Sequence, residues 1–265
     1  MGKNILLTIA YDGSNFHGWQ RQTKARTVQG ELEKALTRVL GREITVDGTS
    51  RTDAGVHAFG QKVSFKCDTA MPTSKFPMIL NNTLSNGKIF NERIPGEISV
   101  IDAQEMPPDF HARFSAKGKK YVYKIRVSEK QDIFRRNYCY QLTQALDIKK
   151  MKTASEFIQG THDFKSFEAS GANKKESTVR TVYSLDIRKE DLDEIIIEVK
   201  GDGFLYNMVR IITGTLVEVG TGRRQPGDMN DIINSQNREK SGHTAPASGL
   251  YLVDVYYDEK TLYHE

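Results

Sequence analysis

The stretch Gly48-Thr49-Ser50-Arg51-Thr52-Asp53-Ala54-Gly55-Val56-His57-Ala58 holds the residues best suited to chemistry. It falls between two expected strands, and loops held by rigid strands are where reactive groups concentrate. A carboxylate such as Asp53 can serve as nucleophile, general base or metal ligand. It can equally cap a plain Asp-x-Gly turn. In extended backbone Arg51, two residues earlier, points the same way as Asp53. His57 would share a metal with Asp53 only on a helix, which Gly55 opposes, and no further His, Cys or Asp cluster stands nearby. No metal is therefore assigned. Tyr121 and Tyr123 share one face of an expected strand beside Lys119 and Lys120. They either pack the sheet or stack on nucleobases. Arg210 interrupts the apolar run Asn207-Met208-Val209-Arg210-Ile211-Ile212. A cation there must reach water or pair with a carboxylate. The signatures of nucleotide-triphosphate, dinucleotide, zinc-protease and serine-hydrolase chemistry are missing.

The elements that must position these residues follow from periodicity. Residues 3–10 read as a buried strand, and 27–40 as an amphipathic helix with Val28, Leu32, Leu36 and Val39 on its apolar face. Thr27 suits its N-cap and Gly41 its stop. Strands are expected near 43–49 and 60–66, a helix over 74–85 and a strand over 97–104. The second half repeats this order: a strand at 119–127, a helix at 147–159, strands at 179–188 and 193–200, a helix at 204–219 and a strand at 250–257. An extra helix is expected at 228–236, and Gly220-Thr221-Gly222 suits a helix C-cap. Each half has the β-α-β-β-α-β order of a ferredoxin-like unit. The fold class is α+β: two such halves with antiparallel sheets flanking a cleft that suits a large ligand. Pro107-Pro108 marks the seam, giving a domain of residues 1–106 that carries the Asp53 loop and a second of 107–265.

The 265 residues carry 38 Lys and Arg against 34 Asp and Glu, a net charge of +4. With 27% charged and 38% hydrophobic residues, this is a folded globular chain rather than a disordered one. No apolar run approaches the roughly 18 residues of a membrane helix. The N-terminal MGKNILLTIAYDG reads as a strand, not a signal peptide. Cys67 and Cys139 are too few for a disulfide framework, which fits a reducing cytoplasm. Cations gather: Lys117 to Arg126 holds five and no anion, Arg21, Lys24 and Arg26 form a second group, and Lys174 with Lys175 a third. Such grouping suits an RNA-binding face, the plainer alternative being solvated surface charge.

Four pieces then carry a resemblance: Tyr11-Asp12-Gly13 with Phe16-His17-Gly18-Trp19-Gln20-Arg21-Gln22; Arg51-Thr52-Asp53-Ala54-Gly55-Val56-His57; Asp109-Phe110-His111-Ala112-Arg113-Phe114-Ser115-Ala116 leading to Lys120-Tyr121-Val122-Tyr123; and Met208-Val209-Arg210 with Ser248-Gly249-Leu250-Tyr251. In this order the chain resembles the TruA-type tRNA pseudouridine synthases. The resemblance implies a cytoplasmic, cofactor-free isomerase that converts uridine to pseudouridine in the anticodon stem-loop of tRNA, at positions 38, 39 and 40. It implies a homodimer, with one tRNA touching both subunits. The family's nucleophilic Asp falls on Asp53, its base-flipping Arg on Arg51, and its uracil-stacking Tyr on Tyr121. The Arg that pairs with the catalytic Asp falls on Arg210, and an apolar wall of the uracil pocket on Leu250, so the second half completes the active site. The RNA-contacting run falls on Phe110, His111, Ala112, Arg113 and Phe114, with Lys119 and Lys120 meeting phosphates. A second contact region falls on Gly171, Ala172, Asn173, Lys174 and Lys175. One departure is visible: Ser50 stands where the family usually has Gly, and a position needing positive φ would strain it.

The implied chemistry suits these residue types. Uracil must leave the stack, be detached from C1′, turn, and rejoin through C5. A neighbouring cation favours the ionised carboxylate, and an apolar wall keeps water from the sugar. Asp53 could attack C6, attack C1′ or deprotonate C2′. Three rivals are distinct: a paralogue acting on other tRNA or rRNA sites, a non-catalytic RNA-binding module that leaves the Asp53 loop idle, and a metal-dependent hydrolase using Asp53 and His57.

Overall fold

The computed structural model describes residues 2–89, 92–171, 177–191 and 193–264. In chain order the elements are β1 (Gly2–Tyr11), α1 (Val28–Leu40), β2 (Asp47–Gly48), β3 (His57–Asp68), α2 (Phe76–Leu84), β4 (Lys88–Ile89), β5 (Glu92–Arg93) and β6 (Ile98–Met106). There follow β7 (Gly118–Val127), β8 (Tyr140–Leu142), α3 (Ile148–Glu156), β9 (Gly160–Asp163), β10 (Val179–Lys189), β11 (Glu194–Gly201), α4 (Met208–Gly220), α5 (Asp228–Ser235), β12 (Leu250–Tyr256) and α6 (Glu259–His264). The fold is a mixed α+β one, and its strand pairings are mostly antiparallel. Residues fall into two compact units, one running to Lys117 and resuming at Leu252, the other Gly118–Tyr251. The sequence reading cut the chain at 106/107, whereas the grouping falls at 117/118 and again at 251/252.

In the first unit the strand order is β6-β1-β3-β12, with β2 added to β3. The register sets Ile5 opposite Phe65 and Leu7 opposite Val63. With period-2 alternation these side chains share one face, and Phe65 meets Phe76 of α2 with ring centroids 5.7 Å apart. Val28, Leu32 and Leu36 of α1 and Leu80 of α2 are fully buried, as the helical period requires. Thr27 caps α1 by accepting from Gly30 N–H, and Gly41 ends it at φ +69°, as expected. The strand expected over 43–49 shrinks to Asp47–Gly48, because α1 side chains take the backbone groups that a ladder would use. Glu33 accepts from Val46 N–H at 3.1 Å, Gln29 donates to Val46 O at 3.1 Å, and Thr37 accepts from Ile44 N–H at 3.4 Å.

In the second unit the order is β7-β11-β10-β9, with β8 parallel to β7. Tyr121, Tyr123 and Ile125 face Val199, Ile197 and Ile195 across the β7–β11 ladder. The α4 helix is buried over nearly its whole length. It starts at Met208 rather than 204, because Asn207 adopts the left-handed conformation at φ 60° and cannot continue a helix. Gly222 follows α4 at φ +77°, fitting the expected C-cap. Cys67 and Cys139 are buried free thiols, and burial pushes both up.

Candidate active site

The Asp53 loop is gripped from three sides. From below, the fully buried Gln61 of β3 accepts from Ser50 N–H at 3.2 Å and donates to Ser50 O at 2.7 Å. From the Tyr11-Asp12-Gly13 side, the Tyr11 and Thr52 hydroxyls are bonded at 2.7 Å. Gly13 lies so close that a Cβ there would stand 2.0 Å from Val56 O. From the Phe16–Gln22 side, Trp19 N–H donates to Thr52 O at 3.0 Å. Gly18, at φ +86°, leaves 2.7 Å between its missing Cβ and that same oxygen. Gly48 lies under the Trp19 ring, with no room for a side chain. A turn closed by Val56 N–H on Asp53 O, with Gly55 at φ +79°, then presents Asp53 half-buried and Arg51 exposed.

The His57 ring is engaged on the Tyr11-Asp12-Gly13 side. Its Nδ1 accepts Gly13 N–H at 3.1 Å and stands 3.2 Å from Asp12 Oδ1. The Gly13 bond makes Nδ1 an acceptor, so the neutral ring carries its proton on Nε2 and the Asp12 approach is not an ion pair in that state. Among the described residues no group of three metal-ligating side chains gathers. Ser50 is not at positive φ, so its side chain is unstrained where the family usually has Gly. Its buried hydroxyl has no hydrogen-bond partner.

The Phe110–Phe114 run divides by role. Ala112 is fully buried: its N–H donates to Ser64 Oγ at 3.0 Å, and its carbonyl accepts from Thr49 and Tyr257 hydroxyls, both at 3.0 Å. Phe110 packs edge-on to Tyr257 at 4.9 Å, and its carbonyl accepts from Asn4 at 2.8 Å. His111 Nδ1 accepts from Arg113 N–H at 3.0 Å, and Nε2 lies 3.5 Å from Asp47. With that footing Arg113 and Phe114 project, Phe114 being 77% exposed.

In the second unit Tyr121 is buried and meets Phe204 edge-on at 5.3 Å. Tyr123, on the same face, is a core residue: fully buried, with its hydroxyl donating to Pro246 O at 2.6 Å. Burial pushes its phenol well above the ordinary range. Lys120 pairs with Glu198 at 3.0 Å, and Lys119 is half-buried. Arg210 neither dangles in water nor sits bare in the core. Its Nε donates to Ala245 O at 2.8 Å and its Nη1 to Asn207 Oδ1 at 2.6 Å. Leu250 is buried behind Gly249, whose missing Cβ would meet the Tyr123 ring at 2.7 Å. Gly171 is exposed in a turn at φ +83°. The other expected contacts of that region, Ala172, Asn173, Lys174 and Lys175, lie outside the described residues.

Sequence reasoning passed over Gln61 and Asn207. Gln61 stands between Gly60 and Lys62, and Asn207 before an apolar run, and neither residue type marks its role in the sequence.

Of the expected site residues, the first unit presents Asp53 and Arg51 on a strand-anchored loop, and the second unit holds Tyr121 buried and Arg210 tethered. The comparisons give the particular family. The family model described as tRNA pseudouridine synthase matches residues 7–115 and 154–258. The tRNA pseudouridine synthase A of Thermoanaerobacter sp. is 46% identical over 96% of this chain and 100% of its own length. The tRNA pseudouridine synthase A 2 of Clostridium tetani is 44% identical over 97% and 100%. A solved H/ACA RNP bound to a substrate RNA containing 2′-deoxyuridine is 10% identical, covers 80% of this chain and 44% of its own, and superposes with a TM-score of 0.36. That likeness is too loose to bear on function. The chain belongs to the tRNA pseudouridine synthase family.

Proposed function

We infer that the chain converts uridine to pseudouridine in tRNA, with Asp53 as the essential carboxylate. The observation that supports this most is the Asp53 loop itself. Tyr11, Gly13, Gly18, Trp19, Thr52, Gly55, Val56 and His57 hold the loop, and Asp53 and Arg51 are read as its acting groups. In the reaction the N1–C1′ bond breaks and a C5–C1′ bond forms. The C5 hydrogen leaves to solvent, and N1 ends protonated. Asp53 supplies the nucleophile or base, by attack at C6 or C1′ or by removing the C2′ proton. Arg51 takes the space of the flipped base or holds its backbone. Tyr121 stacks on the detached uracil while it turns, Arg210 favours the ionised carboxylate, and Leu250 keeps out water.

The finer reading follows from the same resemblance. The target is the anticodon stem-loop, positions 38 to 40, and the enzyme is a cytoplasmic homodimer. Each of its two halves is a ferredoxin-like unit. Arg113, Phe114, Lys119, Lys120 and the region from Gly171 to Lys175 meet the RNA.

The test is tritium release from tRNA transcripts carrying 5-³H-uridine, with wild type and Asp53→Ala side by side. Release that disappears in a variant still binding tRNA supports the reading. A few per cent of residual release would remove Asp53 as nucleophile, and no release by folded, tRNA-binding wild type would remove the activity. Mapping the product nucleotide tests the stem-loop positions.

A further inference from the structure

Arg210 is held by a backbone carbonyl, and a carbonyl is only as well placed as its loop. The loop is 241–246, and it packs along α4 between Glu218 and Arg210. Three contacts mark its course. Gly242 N–H donates to Thr215 Oγ1 at 2.9 Å, His243 N–H donates to Glu218 Oε1 at 3.0 Å, and Ala245 N–H donates to Arg210 O at 3.1 Å. The approach is backbone on backbone. A Cβ on Gly214 would stand 1.8 Å from His243 O, and one on Gly242 would stand 2.7 Å from Thr215 Cα.

Close packing alone would let the loop slide along the helix; the fixed point is Glu218. Its Oε1 also lies 3.1 Å from His243 Nδ1, and its Oε2 takes Arg224 Nε at 2.6 Å. Both oxygens are engaged, and charge-assisted bonds are the stronger kind. His243 Nε2 reaches the Tyr140 hydroxyl at 3.2 Å. From the outer side Arg238 grips the loop through Gly242 O at 3.0 Å and Thr244 Oγ1 at 3.1 Å. At the far end the Arg210 side chain receives its orientation. Its Nε is fixed by Ala245 O, which sets the plane of the rigid guanidinium.

We propose that Glu218 is a positioning residue for Arg210, holding the loop whose Ala245 carbonyl aims the guanidinium from about two turns away along α4. This rests on the reading of Arg210 as part of the catalytic apparatus.

The test is a double-mutant cycle by single-turnover tritium release, using the full chain, with tRNA affinity measured separately. Glu218→Ala is expected to slow the chemical step about tenfold while tRNA affinity stays within about twofold, since misplacement of a catalytic group costs rate rather than binding. Glu218→Gln keeps an oxygen for His243 N–H and is expected to recover most of the rate. In an Arg210→Ala background, Glu218→Ala is expected to cost less than about twofold, because residues acting through one another are non-additive. Thr215→Val, which removes the acceptor for Gly242 N–H together with the bond Thr215 Oγ1 donates to Ile211 O within α4, serves the same cycle if Glu218→Ala does not fold. An equal loss in both backgrounds, or a loss confined to tRNA affinity, overturns the proposal. Wild-type rate in Arg210→Ala alone overturns the reading of Arg210 instead, and the proposal with it.

Discussion

The grip on Asp53 can be tested without touching Asp53. In Gly13→Ala the new Cβ would lie 2.0 Å from Val56 O and 2.6 Å from Val56 C. An ordinary contact begins at 3.4 Å, so the carbonyl must retreat by about 1.4 Å or the Tyr11-Asp12-Gly13 turn must. Neither moves freely. Gly13 N–H is bonded to His57 at 3.1 Å, and Val56 N–H to Asp53 O at 3.1 Å, so the displacement passes directly to Asp53. Overpacking of this kind costs about 1–3 kcal/mol of stability. A shift of about 1 Å at a reacting group costs about a hundredfold in rate. Gly13→Ala is therefore expected to fold, to bind tRNA near wild-type affinity, and to release tritium about a hundredfold more slowly at saturating tRNA. Gly227→Ala, where nothing lies within 4 Å of the added Cβ, is the control and should match wild type. Wild-type turnover by Gly13→Ala would show that the loop tolerates displacement and that the motif's rigidity is not what places Asp53.

Four further outcomes are expected. Ser50→Ala removes a buried hydroxyl without a partner and should gain about 1 kcal/mol, a rise of a few degrees in Tm by thermal melt. Asn207→Gly keeps the left-handed backbone at φ 60° but loses the Arg210 contact, so it should slow turnover at little cost in Tm, whereas Asn207→Ala should lose both. Affinity for tRNA should fall steeply with salt, and Arg113→Ala should flatten the log–log slope by about one, with Lys120→Ala doing less because Glu198 already pairs that lysine. Burial works to raise the Glu218 carboxyl, but its bonds from Arg224 and His243 outweigh that and hold it below the ordinary range. Its contribution is thus present above the ordinary carboxylate range and lost as pH falls through the folded-state value. The stability gap between wild type and Glu218→Gln in urea titrations should narrow in acid.

The fold was legible where local chemistry decides it. Thr27 and Gly41 bracket α1 because capping and positive φ are properties of those residues alone, and the alternation of β7 needed no tertiary help. It was illegible where a distant side chain took over the backbone. Residues 44–46 have a strand's composition, but Gln29, Glu33 and Thr37 of α1 claim their polar groups. Nor does Asn207 show in the sequence that it will turn left-handed and begin α4 four residues late. β6 ends at Met106 before the Pro107-Pro108 pair, yet the chain stays with the first unit through Lys117. Asn4, Ser64, Thr49 and Tyr257 bind that stretch, and their bonds to it span long gaps in sequence.

The site shows the same division in sharper form. Of Arg51-Thr52-Asp53-Ala54-Gly55-Val56-His57, the sequence singles out Asp53 as the actor with Arg51 beside it, and leaves His57 a distant metal-ligand alternative. Geometry separates them. Thr52 is spent on Tyr11 and Trp19, Gly55 on the turn, Val56 against Gly13, and His57 on Gly13 N–H. On the function proposed above, most of the motif's residues hold the loop and only Asp53 and Arg51 act. Holding a carboxylate in place needs neighbours of fitting shape, and Gly13, Gly18 and Gly48 stand where another backbone or ring comes too close for a side chain. Arg210 is served in the same way by Asn207, Gly214 and the loop beneath Glu218. On that same reading, placing a reacting group precisely takes more side chains than the reaction itself, which is why the residues that hold Asp53 and Arg210 outnumber the acting groups.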